Sequence, residues 1–243
     1  WTNVTANIPG LSEWSTIATI EPSPFDAAVA YVVADAHRMD DMRPHLWKTA
    51  DCGKTWRGLA AGLPRDVYLH AVREDPKAKG LLYVGTEKGV SYSPDDGATW
   101  KELRLNLPTV AVHDLVVKDD DLVVGTHGRS IWILDDLTPL REWSKSVEAK
   151  TAHLFTARPA TRWHYDGPVS SQVKGPGQNP PVGAVLHYWL KDEPKDDVVL
   201  EILDEKGGLV RKLGSRKIEP ETPPDDPDAA EDDAAKKALP KKA

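Results

Sequence analysis

The chain has 243 residues, 40% of them hydrophobic, with a mean hydropathy of −0.47, which leaves room for one or two domains with a buried core. It contains no run of about 18 apolar residues, so no helix that spans a membrane is expected. Its net charge of −7 argues against nucleic acid as a partner.

The chain opens on Trp1, without an initiator Met or a leader-like segment, and so reads as a processed or excised piece. Trp1-x-x-Val4-x-x-Asn7-Ile8-Pro9 returns as Trp56-x-x-Leu59-x-x-Gly62-Leu63-Pro64 and as Trp100-x-x-Leu103-x-x-Asn106-Leu107-Pro108. Before the second and third of these tryptophans stand Thr49-Ala-Asp51-Cys-Gly53-Lys-Thr55-Trp56 and Ser93-Pro-Asp95-Asp-Gly97-Ala-Thr99-Trp100. Both fit [ST]-x-D-x-G-x-T-W, and the two tryptophans are 44 residues apart. Trp1 thus sits where such a box would end, and further repeats are expected upstream. Leu82-Tyr83-Val84-Gly85-Thr86 recurs as Leu122-Val123-Val124-Gly125-Thr126, after which the third box decays around Asp135 and Asp136. A degenerate copy is what the end of a repeat array looks like.

Each repeat holds four short β-type runs, in the second at about 67–73, 81–86, 89–93 and 99–104. Four strands in about 40–45 residues is the arithmetic of a propeller blade. The expected fold is therefore all-β, with blades of four antiparallel strands over residues 1–143 forming a partial ring, and with no helical periodicity. In the box, Asp51 and Asp95 are expected to accept backbone hydrogen bonds across the turn between strands three and four. Gly53 and Gly97 supply a left-handed conformation, and Trp56 and Trp100 pack between neighbouring sheets. Cys52 falls inside a box and reads as a repeat-position variant. As the single cysteine it excludes an internal disulfide and a multi-cysteine metal site, and neither a metal nor a cofactor is expected.

These motifs resemble the Asp-box, or bacterial neuraminidase repeat, found in sialidases, xyloglucan-type glycoside hydrolases and sortilin. The resemblance covers about residues 1–143. It implies a box that stabilises the fold away from the ligand site, and an exported protein, extracellular or periplasmic. The Gly125-Thr126-His127-Gly128-Arg129-Ser130-Ile131-Trp132 segment belongs to the same look, that of bacterial glycosyl-hydrolase-like or sortilin-like proteins.

If boxes lie on one face, the loops joining strands two and three and those joining successive blades lie on the other. The first repeat carries there an insertion of about eight residues, Asp35 to His45, containing His37, Arg38, Asp40 and Asp41. Equivalent loops contribute Glu87, His127 and Arg129, and inter-blade loops contribute Trp14, Arg65 and Tyr68. Acid, base and aromatic groups on one face suit a glycan or a peptide. A solvated surface loop is the other reading of the insertion, and His127 and Arg129 have an alternative role in satisfying backbone groups. Glycosidase chemistry needs two carboxylates about 5–9.5 Å apart. Asp35, Asp40 and Asp41 are candidates by type, with no spacing that places a partner opposite them.

After Trp143, residues 144–183 read as a connector ending in a Gly/Pro-rich loop. Ala184–Leu190, Val198–Leu203 and Leu209–Leu213 alternate as strands, with a turn at Glu205-Lys206-Gly207-Gly208. Residues 184–218 resemble the start of an immunoglobulin-like or fibronectin-type sandwich. The rest, 219–243, carries eight acidic residues and four lysines and is expected to be a disordered linker. The leading expectation is a catalytically incomplete part of a glycan- or peptide-binding propeller, completed by the remaining blades of the same polypeptide. A glycoside hydrolase whose other blades complete the site, and a structural interaction scaffold, are the alternatives.

Overall fold

The computed structural model describes residues 1–161 and 183–215, so the Gly/Pro-rich loop and the acidic tail lie outside the described residues. The chain divides into two compact units, Trp1–Lys191 and Asp192–Ala243. In the first unit, β1 (Thr16–Pro22), β2 (Ala30–Ala36), β3 (Asp41–Thr49) and β4 (Arg57–Gly58) form one antiparallel sheet in sequence order. A second sheet repeats the order with β5 (Leu69–Glu74), β6 (Leu82–Thr86), β7 (Gly89–Ser93) and β8 (Lys101–Glu102). A third has β9 (Val112–Lys118), β10 (Asp121–Thr126) and β11 (Ile131–Leu134). β1 packs on β5, and β5 on β9. Up-and-down sheets stacked first strand to first strand are propeller blades, and the fold is all-β.

The sequence of β6 shows why the middle blade sits between the others. Side chains alternate across a strand, yet all five residues of β6 are buried. Leu82 and Val84 join Tyr31, Val33, Leu46 and Leu69 in the core between the first two blades. Tyr83 turns the other way, to Val112, Leu115, Leu122 and Val124 between the second and third. Each such Leu or Val contributes about 1.5–3 kcal/mol by leaving water. The outward faces of the stack stay apolar and open. Ile20 on β1 is 65% exposed, and Ile131 and Ile133 on β11 are 71% and 58% exposed.

Both boxes close the β3–β4 and β7–β8 hairpins with the same hydrogen bonds. Asp51 accepts from the Thr55 N–H at 2.9 Å and the Thr55 hydroxyl at 2.6 Å, and Asp95 accepts from Thr99 at 2.7 Å in both places. The Thr49 and Ser93 hydroxyls donate to those aspartates and accept from the Gly53 and Gly97 N–H groups. Gly53 and Gly97 have φ of +82° and +80°, and a Cβ on either would come within 3.0 Å of Val4 or Leu59. Those two residues occupy the same place, three after Trp1 and Trp56, so each box glycine seats the preceding repeat. The Trp100 indole N–H donates to the Leu59 carbonyl at 2.8 Å and packs on the core between the first two blades. Trp56 packs on Ile8, Val32 and Trp47.

The chain after the third blade turns briefly helical. Two helices follow it, α1 (Thr138–Glu142) and α2 (Lys145–Glu148). At five and four residues they are too short to show a periodicity. Arg141 of α1 reaches back to Asp75, which is fully buried. The connector continues into β12 (Ala152–Leu154), which pairs with β13 (Tyr188–Leu190). Trp143 stacks on Phe155 and meets Trp189 edge-on. The run ending at Leu190 thus pairs with the connector within the first unit. The second unit contains β14 (Val199–Leu203) and β15 (Leu209–Gly214), an antiparallel hairpin. Asp204 holds its turn by accepting from the Lys206 and Gly208 N–H groups. Among its described residues no second sheet faces this hairpin.

Candidate functional site

The end of the blades opposite the boxes is built on a repeated irregularity. The pairing of each first strand with its second shifts register once: between Ile17 and Thr19, between Leu69 and Ala71, and between Val112 and Asp114. The residues at the shifts are Ala18, His70 and His113. A bulge re-aims a side chain that regular alternation would bury or expose. The backbone around both histidines is tied down in the same way. The Glu87 N–H donates to the Tyr68 carbonyl at 3.2 Å, and the His127 N–H to the Ala111 carbonyl at 2.8 Å. The Thr19 hydroxyl of the first blade donates to the His70 carbonyl at 2.9 Å.

The result is a row of rings across three blades. His37 stacks on Tyr68 with centroids 4.7 Å apart, and Tyr68 meets His70 edge-on at 5.1 Å. His70 lies 4.3 Å from His113, which lies 4.6 Å from His127. Two carboxylates flank the row. Asp35 is 2.6 Å from His37 Nδ1, and Glu87 is 2.8 Å from His70 Nε2. Burial pushes the Glu87 carboxyl up, but hydrogen bonds from His70 and Tyr68 outweigh it and hold it below its ordinary value. Burial, then the Glu87 hydrogen bond and the Glu87 and Asp35 charges, push the Tyr68 phenol up to about 12. The His113 imidazole is held low by partial desolvation and by His70 and His127, against the attraction of Glu87. Around neutral pH the row thus presents a neutral imidazole, an ionised carboxylate and an un-ionised phenol.

Of the residues expected on this face, His37, Tyr68, Glu87, His127 and Asp35 come together. Trp14 is 89% exposed in a left-handed conformation before β1, at the same end of its blade. Arg38, Arg65 and Arg129 are exposed. The Arg129 N–H donates to the Thr126 hydroxyl, and its carbonyl accepts from Trp132, so its backbone shapes the turn. Asp40 and Asp41 do not join the row. The insertion is a lengthened β2–β3 hairpin with a 3-10 turn at His37–Met39, where Asp40 takes a left-handed φ of 65°. Asp41 opens β3 and is held by Arg43 at 2.7 Å and His45 at 3.0 Å, which keeps its carboxyl well below the usual range. A groove of about 360 Å³ adjoins the Glu87 turn, lined by Asp66, Thr86, Lys88, Trp100, Arg104 and Thr109 among others.

His70 and His113 were not expected here. Val67-Tyr-Leu-His70-Ala-Val72 and Val110-Ala-Val-His113-Asp-Leu115 share V-x-[LV]-H-x-[VL], and their histidines are 43 residues apart. That near-repeat of the box spacing is the signal that finds them.

No family model matches the chain, and no curated protein matches it. Among solved structures, it is similar to the GH74 enzyme of Niastella koreensis, at 18% identity over 49% of this chain and 21% of that one, with a TM-score of 0.40. The GH74 xyloglucanase of Xanthomonas campestris gives 17% identity over 54% and 23%, with a TM-score of 0.36. YCF48 from Cyanidioschyzon merolae gives 18% over 52% and 35%, with a TM-score of 0.37. The chain thus matches about a fifth to a third of the length of these proteins. At such identities and scores the likeness carries no residue or chemistry across, and the blade assignment rests on strand order and packing. Among the described residues no helix is long and apolar enough to cross a membrane.

Proposed function

We propose that the end of the blades opposite the boxes is a ligand-binding face for a glycan or a peptide, in a protein whose further blades cover the open apolar faces of the first and third blades. The observation that carries this is the ring row, His37, Tyr68, His70, His113 and His127, contributed by all three blades and flanked by Asp35 and Glu87. Imidazole, phenol and carboxylate groups offer donors and acceptors to hydroxyls or amides, and the exposed Trp14 offers a stacking surface at the same end. Arg65, Arg129 and Arg38 add donors at the rim. Ile20, Ile131 and Ile133 support further blades, because apolar faces of this kind are buried between adjacent sheets elsewhere in the stack. The boxes act as the fold-stabilising turns of an Asp-box propeller, and export of the protein follows from that resemblance alone.

A hydrolase reading has one observation in its favour: Asp35 and Glu87 both lie near enough to Tyr68 to raise its pKa. Each already has a firm partner in His37 or His70, which suits orientation of the rings better than proton transfer. Glycan and peptide arrays, run beside a panel of chromogenic glycosides, separate the two. Binding without turnover is the expected result. Turnover that disappears in Asp35→Asn or Glu87→Gln would replace the binding reading with the hydrolase.

A further inference from the structure

We propose that His70, Glu87 and His113 form a binding site for a divalent transition-metal ion of the zinc class, held across the junction of the second and third blades. The site needs no glycan or peptide on the face. Each residue offers one donor atom, and the three donor atoms lie within 4.8 Å of one another. Zinc bonds of about 2.0–2.2 Å in a tetrahedron set neighbouring donors about 3.3 Å apart. His70 Nε2 and Glu87 Oε2, at 2.8 Å, are already closer than that. Closing the widest donor gap from at most 4.8 Å to about 3.3 Å asks for a movement of up to about 1.5 Å.

The donor chemistry selects the ion. Two imidazoles and one carboxylate form a borderline set that suits zinc and its neighbours, whereas calcium and magnesium take oxygen ligands. Three protein donors leave a fourth position open, and His127 lies beside His113 with ring centroids 4.6 Å apart. His113 is exposed, so an ion has access from solvent.

The surroundings are those of a supported site. Outer hydrogen bonds orient metal ligands and tune their basicity. Here the bulge that aims His70 is fixed by the Thr19 hydroxyl at its carbonyl. The ligands must be deprotonated to bind. The bulge itself recurs in all three blades; the second and third place a histidine there, where the first has Ala18.

The test is calorimetric titration of the EDTA-treated, dialysed chain with zinc chloride, followed by cobalt(II) substitution. The expected result is one zinc per chain, a visible cobalt spectrum of tetrahedral intensity, and a rise in Tm on adding zinc, because the ion would join two blades. His113→Ala, at an exposed position, should weaken zinc binding at least about tenfold, a floor set by the cost of losing even an outer hydrogen bond to a ligand. His153→Gln, in β12, and Cys52→Ser should leave it unchanged. No saturable zinc binding, or binding that survives His113→Ala, or binding lost in His153→Gln or Cys52→Ser, would overturn the site.

Discussion

Arg141 offers a sharp test of how the last blade is fastened. Its Nε donates to both carboxylate oxygens of Asp75, at 3.0 and 2.9 Å. Its other nitrogens donate to the Asp120 carboxylate and to the Asp119 carbonyl. The Arg141 side chain is 11% exposed and that of Asp75 0%. Removing one partner of a buried pair costs about 3–5 kcal/mol, because the other charge is left in a poorly solvated place. Asp75 keeps three donors, the Lys77 and Ala78 N–H groups and the Tyr83 hydroxyl. Asp120 keeps Lys77 at 2.6 Å. Arg141→Met should therefore fall at the low end, about 3 kcal/mol, or roughly 6–12 °C in Tm for a chain of this size. Urea unfolding should show a lower midpoint at unchanged m-value. Adding Asp75→Asn should recover part of the loss, since the amide still accepts from the two N–H groups without carrying a charge. An Arg141→Met loss under about 1 kcal/mol, or a double variant no more stable than Arg141→Met, would refute the idea that a buried charge is being compensated.

Three further outcomes are expected. The Asp51 carboxyl is held at about 2 by the Thr55 hydroxyl and N–H, below its usual value in an unfolded chain. Its stabilising contribution is therefore complete above about pH 4 and is lost as the pH falls toward 2, so Asp51→Asn should flatten that part of a Tm-against-pH curve. A Cβ on Gly85 would come within 2.5 Å of the Val112 carbonyl and 3.0 Å of its side chain. Gly85→Ala should cost about 1–3 kcal/mol in urea unfolding, and it should shift the His113 imidazole signals in an NMR spectrum, since Val112 precedes His113. Trp100→Phe keeps an aromatic ring but removes the donor to Leu59, and should lower stability by about 0.5–1.5 kcal/mol, measured in the same way.

The blades were legible because a repeat restates itself. The box residues recur 44 residues apart, the Trp-x-x-[VL] match 55 and 44 residues apart, and Gly85 returns as Gly125 after 40, and each has a contact that explains it. Other features were hidden for physical reasons. His70 and His113 look like ordinary strand positions under a period of two, and only the register shift shows that they are bulges. Asp40 and Asp41 look like a polar loop because Pro44 and alternating charges mask a hairpin. Alternation at Ala184–Leu190 marks a strand but does not name its partner, which is Ala152–Leu154 for Tyr188–Leu190. Arg141 gave no sign that it would meet Asp75, since the contact spans 66 residues with no motif to mark it.

The central claim is that ligands meet the face opposite the boxes. The most direct measurement probes glycan and peptide arrays with the unaltered chain, with Trp14→Ala and Tyr68→Ala on that face, and with Lys54→Ala in a box turn. The account predicts retention of at least one glycan or peptide probe by the unaltered chain and by Lys54→Ala, with loss in Trp14→Ala or Tyr68→Ala. Retention lost in Lys54→Ala but kept in both face variants, or no probe retained at all, would contradict it.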